Sequence, residues 1–186
     1  VHKNYISTVT FIYNFDYQSI LIGFAFMAAL LSANLFAIGH QKKYEVILGT
    51  AYAAFANFGL FAGDFLSIVI AIELMMIFSS LIIFIGNESN NINATKKYFA
   101  THLLSGNLII IGISYVYIQN GNSELVRISH LIENNTDHAF FTAVMLLGFV
   151  INIAAYPFCG WMIYYYSVAS PAGFNYLIIF TTKLSV

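Results

Sequence analysis

The sequence predicts an all-α fold: a polytopic bundle of transmembrane helices with one helix broken, about five complete spans and a partial sixth. Three observations predict it. First, 60% of the 186 residues are hydrophobic and only 8% are charged, with a mean hydropathy of +0.78, whereas a soluble domain carries about 25% charged residues. Second, the apolar residues come in unbroken runs. A helix rising about 1.5 Å per residue needs about 20 of them to cross a hydrocarbon core of roughly 30 Å. Third, the apolar–polar alternation of a barrel strand, over segments of about ten residues, is missing, so the spanning elements are read as helices.

Taken in order, the runs lie near Tyr17–Ile38, Val46–Phe61, Phe65–Ile85, Tyr98–Tyr117 and Phe140 to about Tyr166. The segments between them, "GHQKKYE", "AGD", "GNESNNINATKK" and "QNGNSELVRISHLIENNTDH", are polar enough to lie at or beyond the headgroups. Within the fifth run Pro157 removes a backbone donor, which favours a kink or break. The following "CGWMIYYYSVASP" is then a half-helix or re-entrant turn, tolerated where neighbouring protein satisfies its backbone. A sixth run after Pro171 has about fifteen residues, roughly 22 Å of helix, too short for a crossing. The expectation is a single membrane domain over residues 1–186 that is a fragment of a larger bundle, completed by further residues or by a separate polypeptide. The opening "VHKNYISTVT" has neither a Met nor the charged start and compact apolar core of a signal peptide, so either the Met has been removed or the beginning is missing.

Charge sets the expected orientation and excludes several functions. Alternate loops collect Lys42, Lys43, Lys96 and Lys97 on one face; the other receives Lys3 and Arg127 among Asp16, Asp64, Glu124, Glu133 and Asp137. By the positive-inside rule the paired lysines face the cytoplasm or matrix. A net charge of −1 gives no basic footprint for nucleic acid. The single Cys159 excludes an intrachain disulfide and any multi-cysteine metal site. Sequons at Asn87, Asn93 and Asn134 fall on loops of opposite faces, and are expected by chance in an Asn-rich chain. There is no GxGxxG and no P-loop; the 17% aromatic content reads as packing and lipid-facing surface.

Two charges fall within apolar runs: Glu73 in "FLSIVIAIELMMIFSSLIIFIG" and Lys183 in "YLIIFTTKLSV". A charge at the centre of a membrane helix costs about 2.5–3.5 kcal/mol on insertion scales, so such a group faces a partner or a water-filled cavity. Glu73 lies roughly 12 Å into its span, a depth suited to an ion or proton relay; the plainer reading is a structural carboxyl tied to another helix. Lys183 is either the amine of the same relay or a lysine that snorkels to the headgroups. Asn152, in "GFVINIAAYPF", can hold water or bond across helices but cannot take up a proton. His102, in "KYFATHLLSGN", is a possible carrier with an unperturbed pKa of about 6.5, but its place near the lysine-rich end favours a satisfied interfacial histidine.

The ordered set "GDFLSIVIAIELMMIFSSLIIFIG", "ATKKYFATHLLSGNLIIIGISYVY", "YPFCGWMIYYYSVASP" and "TTKLSV" resembles the antiporter-like membrane subunits of respiratory complex I, NADH:ubiquinone oxidoreductase. It is most similar to subunit 2, the bacterial N subunit, and the wider family includes subunits of multisubunit cation/proton antiporters. The resemblance covers nearly the whole chain, as helices three to eight of a fourteen-helix fold. It implies a glutamate in the fifth helix, matched by Glu73 in "IEL", and a lysine or histidine in the eighth, matched by Lys183. At the lysine of the broken seventh helix this chain has Asn152. It also has Cys159 for the histidine of the family's "PFHxW", and "MIY" at Met162–Tyr164 for the usual "LPD".

What the resemblance implies is a membrane-arm subunit that contributes to proton translocation coupled to electron transfer, a non-redox part of an enzyme. Glu73 would be the acidic gate, Asn152 a water-holding position, and Lys183 the amine that stores and passes a proton. No cofactor is expected in this chain, because quinone and nucleotide chemistry belong to partner subunits. Its partners would be other complex I membrane subunits, a possible polypeptide completing the bundle, and lipid. The alternatives are a non-pumping scaffold of the membrane arm, prompted by Asn152, and a subunit of a cation/proton antiporter. Abundant Phe, Ile, Tyr and Asn point to an AT-rich organellar genome and the mitochondrial inner membrane, with a bacterial inner membrane as the other setting.

Overall fold

A computed structural model of the chain describes residues 12–40, 42–86, 91–120 and 136–180. Among the described residues seven helices follow one another: α1 (Tyr17–Gly39), α2 (Lys43–Leu60), α3 (Phe65–Phe84), α4 (Asn91–Asn120), α5 (Thr136–Asn152), α6 (Gly160–Tyr166) and α7 (Pro171–Phe180). No strand occurs among the described residues; the nearest thing is an isolated antiparallel bridge between Tyr13 and Ala62. The expected all-α membrane bundle with a broken helix is what forms.

The helices begin where the sequence supplies acceptors for their first amides. Asp16 caps α1 by accepting from the Ser19 amide at 2.6 Å, a bond that holds its carboxyl below the ordinary carboxylate range. Asp64 caps α3, accepting from the Ser67 amide at 2.8 Å and the Ser67 hydroxyl at 2.7 Å. A third donor, the Ile12 amide, reaches the same carboxylate at 2.9 Å. With Asn14 N donating to Phe61 O and Gly63 N to Ile12 O, the segment before α1 is stitched to the turn between α2 and α3.

Three helices, Tyr17–Gly39, Phe65–Phe84 and Asn91–Gln119, are long and apolar enough to cross a membrane by themselves. Of the other two expected runs, α2 begins three residues before the expected Val46, and α5 stops well before the expected Tyr166. α2 has 18 residues and α5 has 17, rises of about 27 and 26 Å. The fourth helix is longer than expected: it starts at Asn91 and takes in "NINATKK", because polar side chains at a helix end reach the headgroups without breaking backbone hydrogen bonds. α5 stops at Asn152, five positions before Pro157; Ala154 takes a positive φ of 54° and the Tyr156–Pro157 peptide bond is cis. α6 then forms the expected half-helix. Only the first ten residues of the sixth run are described, as α7, and Lys183 lies outside the described residues.

Packing is sequential, α1 on α2, α2 on α3, α3 on α4 and α4 on α5, and α7 returns to lie against α1 and α2. The buried residues of α4 form one stripe, Ala94, Tyr98, His102, Ser105, Ile109, Ile113 and Val116, recurring every three or four positions. On α5 the matching stripe is Thr142, Met145, Gly148 and Asn152. A Cβ on Gly148 would come within 2.7 Å of the Ser105 carbonyl oxygen, so only glycine lets the two backbones approach this closely. The core divides in two: one part around Tyr52, Ile82, Ile83, Trp161, Tyr176 and Phe180, and a smaller one of Phe65, Ile72, Ile109, Ile113, Val116 and Met145. The outward faces, with Leu21, Phe24, Leu31 and Leu35 on α1, are apolar and exposed, as lipid contact requires.

Candidate functional site

Ionisable and polar side chains gather where α3, α4, the end of α5 and α6 meet. α3 is apolar around its whole circumference except for Ser67, Ser79, Ser80 and Glu73, so Glu73 is its one charge inside the membrane. Its side chain is half-buried and lies directly on Gly106 of α4, where any Cβ would collide with Oε1. Among the described residues no hydrogen bond or ion pair reaches this carboxylate.

One helical turn before Gly106, about 6 Å along the axis, α4 places His102. The ring is 5% exposed, with its centroid 4.4 Å from that of Tyr98 and 4.4 Å from that of Trp161 at 77°. Tyr98 donates to Ser79 Oγ on α3 at 2.8 Å, and that hydroxyl donates to the Met75 carbonyl at 2.7 Å. Trp161 Nε1 donates to the Ile151 carbonyl at 2.9 Å, tying the half-helix α6 to the last turn of α5. Asn152, 4% exposed, closes the group. Its amide approaches the imidazole, yet His102 Nε2 has no hydrogen-bond partner among the described residues.

Two of the three expected site residues therefore flank one centre, Glu73 from α3 and Asn152 from α5, and the third, Lys183, lies outside the described residues. His102 is not the satisfied interfacial histidine expected of it. It sits eleven positions into α4, in the middle of the buried stripe, and one ring nitrogen is unpartnered. A signal for this exists in the sequence: Tyr98, His102, Ser105 and Ile109 follow the helical period of the buried face.

Two further charges are buried that the loop assignment had placed outside. Asp64 is 0% exposed and fully satisfied by the donors described above; "DFLS" is a readable capping pattern. Glu45, 2% exposed, accepts from Ser170 Oγ at 2.6 Å and has Lys42 Nζ at 4.0 Å. Ser170 in turn accepts from the Gly173 amide at 3.0 Å, so the acid fastens the start of α7 to the first turn of α2. Nearby Tyr176 donates to Asn34 Oδ1 at 2.6 Å. Among the described residues no three His, Cys, Asp or Glu side chains are placed to hold a metal ion.

Ionisable groups set around a discontinuous helix, inside an apolar polytopic bundle, define the class as a polytopic helical membrane protein. The chain belongs to the NADH:quinone oxidoreductase/Mrp antiporter transmembrane family, whose model matches residues 62–186. It is similar to NADH-quinone oxidoreductase subunit N of Desulfitobacterium hafniense, 28% identical over 145 residues, covering 73% of this chain and 29% of the relative. Subunit N of Halorhodospira halophila is 25% identical over 160 residues, 78% of this chain and 33% of the relative. Among solved structures, the Mrp complex from Dietzia sp. DQ12-45-1b matches the fold with a TM-score of 0.80 at 23% identity, over 95% of this chain and 34% of that one. The chain thus spans about a third of the length of the curated relatives it matches.

Proposed function

We propose that this chain contributes to proton translocation in the membrane arm of an NADH–quinone oxidoreductase, as a non-redox subunit or part of one. The observation that carries the reading is Glu73, a half-buried carboxylate inside a membrane helix, lying on Gly106 of the next helix. A group so costly to place there is retained where charge or protons pass. Family membership and the names of the subunit N relatives support the same setting. Glu73 is the acidic gate and Asn152 a position that holds water at the broken helix; Lys183, by resemblance, is the amine that stores the proton. Nucleotide and quinone chemistry is assigned to other subunits, and the membrane is that of a mitochondrion or a bacterium, composition favouring the former and the bacterial relatives the latter.

The test is Glu73→Gln in the intact complex, reading protons moved per electron in sealed vesicles. The ratio is expected to fall while the complex still assembles; an unchanged ratio makes the chain a scaffold. A second reading, a cation/proton antiporter subunit, is supported by the Mrp complex as structural neighbour. Sodium-dependent transport without NADH oxidation would establish it, and purification with flavin and iron–sulfur partners would exclude it.

A further inference from the structure

His102 has no assigned role, and its surroundings are unusual for a packing residue. A neutral imidazole has one donor and one acceptor nitrogen, and leaving one of them buried without a partner is destabilising. The fold maintains that cost where α4 meets the last residue of α5. Two aromatic rings and a helix end surround the imidazole. The rings of Tyr98 and Trp161 lie within cation–π distance, both at 4.4 Å between centroids. α5 ends at Asn152 beside it, and the C-terminal end of a helix carries partial negative charge. The Glu73 carboxylate lies one turn farther along α4, on Gly106.

We propose that His102 is a proton-carrying site that exchanges with Glu73 across the α3–α4 interface, with Asn152 orienting its ring. This rests on the translocation reading above. Uptake forms an N–H bond at Nε2 as an O–H bond of the donor breaks, converting neutral imidazole to imidazolium. Delivery breaks that N–H bond and forms an O–H bond on Glu73, leaving neutral imidazole and a neutral carboxylic acid. No electrons move. The groups against the ring are Tyr98 from α4 itself, Asn152 from α5 and Trp161 from α6; farther out, Ser79 of α3 bonds Tyr98, Tyr165 and Tyr166 of α6 lie 6.4 and 6.2 Å from the Tyr98 ring, and Glu73 of α3 lies on Gly106. Lys96 and Lys97 point to the exposed side of α4.

The experiment compares His102→Gln, His102→Lys, Glu73→Gln and the double variant His102→Gln/Glu73→Gln in the intact complex, reading protons per electron in sealed vesicles over about pH 6 to 9. His102→Gln is expected to lose the same part of the ratio as Glu73→Gln, the double variant to lose no more, and His102→Lys to recover part of it with an altered pH profile. A wild-type ratio in His102→Gln beside a reduced one in Glu73→Gln overturns the carrier role and leaves the translocation reading standing. Wild-type ratios in both overturn the two together. Equal impairment in His102→Gln and His102→Lys makes the residue structural and also overturns the proposal. Where His102→Gln does not assemble, Asn152→Ala retains the imidazole and is expected to shift the pH midpoint of coupled transport; an unmoved midpoint overturns the carrier role.

Discussion

Asp64 and Glu73 lie on one helix and its cap, and the difference between them is a matter of donors. Asp64 has three, from Ile12 and Ser67, and joins three stretches of chain at one end of the bundle. Asp64→Ala would leave those donors buried and unpaired, and should lower stability by about 1–3 kcal/mol, read as a reduced unfolding temperature in detergent. Glu73 has no donor among the described residues, as the exchange proposed for it requires. At this scale the sequence was informative wherever a single residue violated its surroundings. Glu73 stood out in an apolar run, and so did Asn152. His102 was noticed but placed at the interface, and Glu45 was read as loop, because what buries them is distant: Trp161 for one and Ser170, 125 positions away, for the other.

Between elements, the α4–α5 seam sets how much movement a substitution can cause. A Cβ at Gly148 meets the Ser105 carbonyl at 2.7 Å and the Ile109 amide nitrogen at 3.0 Å, both backbone atoms that cannot yield. Gly148→Ala should therefore separate the helices and cost about 1–3 kcal/mol, seen as reduced assembly and a lower unfolding temperature. At Gly106 the obstacle is the tip of the Glu73 side chain, which can swing away. Gly106→Ala should assemble normally and instead lower the protons moved per electron. The helices themselves were largely legible, since membrane solvation demands long apolar runs. Their ends were less so. Pro157 announced a break, but α5 ends five positions earlier at Asn152, and polar residues that read as loop before Tyr98 extend α4.

Across the whole molecule the helix ends sort onto two faces. One holds Lys42 and Lys43 with Glu45 and Ser170, and the turn after α3 at Gly86 against Val168 and Ala169. The other holds Ile12–Asn14 with Phe61–Asp64. In a Cys159→Ser background, Lys43→Cys should react with an impermeant maleimide from the cytoplasmic or matrix side and Asp16→Cys from the opposite side; labelling of both from one side would reverse the topology drawn from lysine counts. The side-to-side order of the helices was not legible in the sequence, because apolar surfaces of similar chemistry do not specify partners. It is fixed by a few contacts, such as Tyr176 on Asn34 and Ser170 on Glu45. The second, smaller core has one more effect. Beyond Gly106 the seam of α4 continues as Ile109, Ile113 and Val116, faced by Met145 and Ile72, with the Thr142 hydroxyl the one polar side chain among the buried residues of that stretch of α5. Carrying an ion through such a layer costs several kcal/mol. This stretch is thus an electrical insulator, and under the proposed translocation a charge that reached Gly106 would have to leave sideways, through α3.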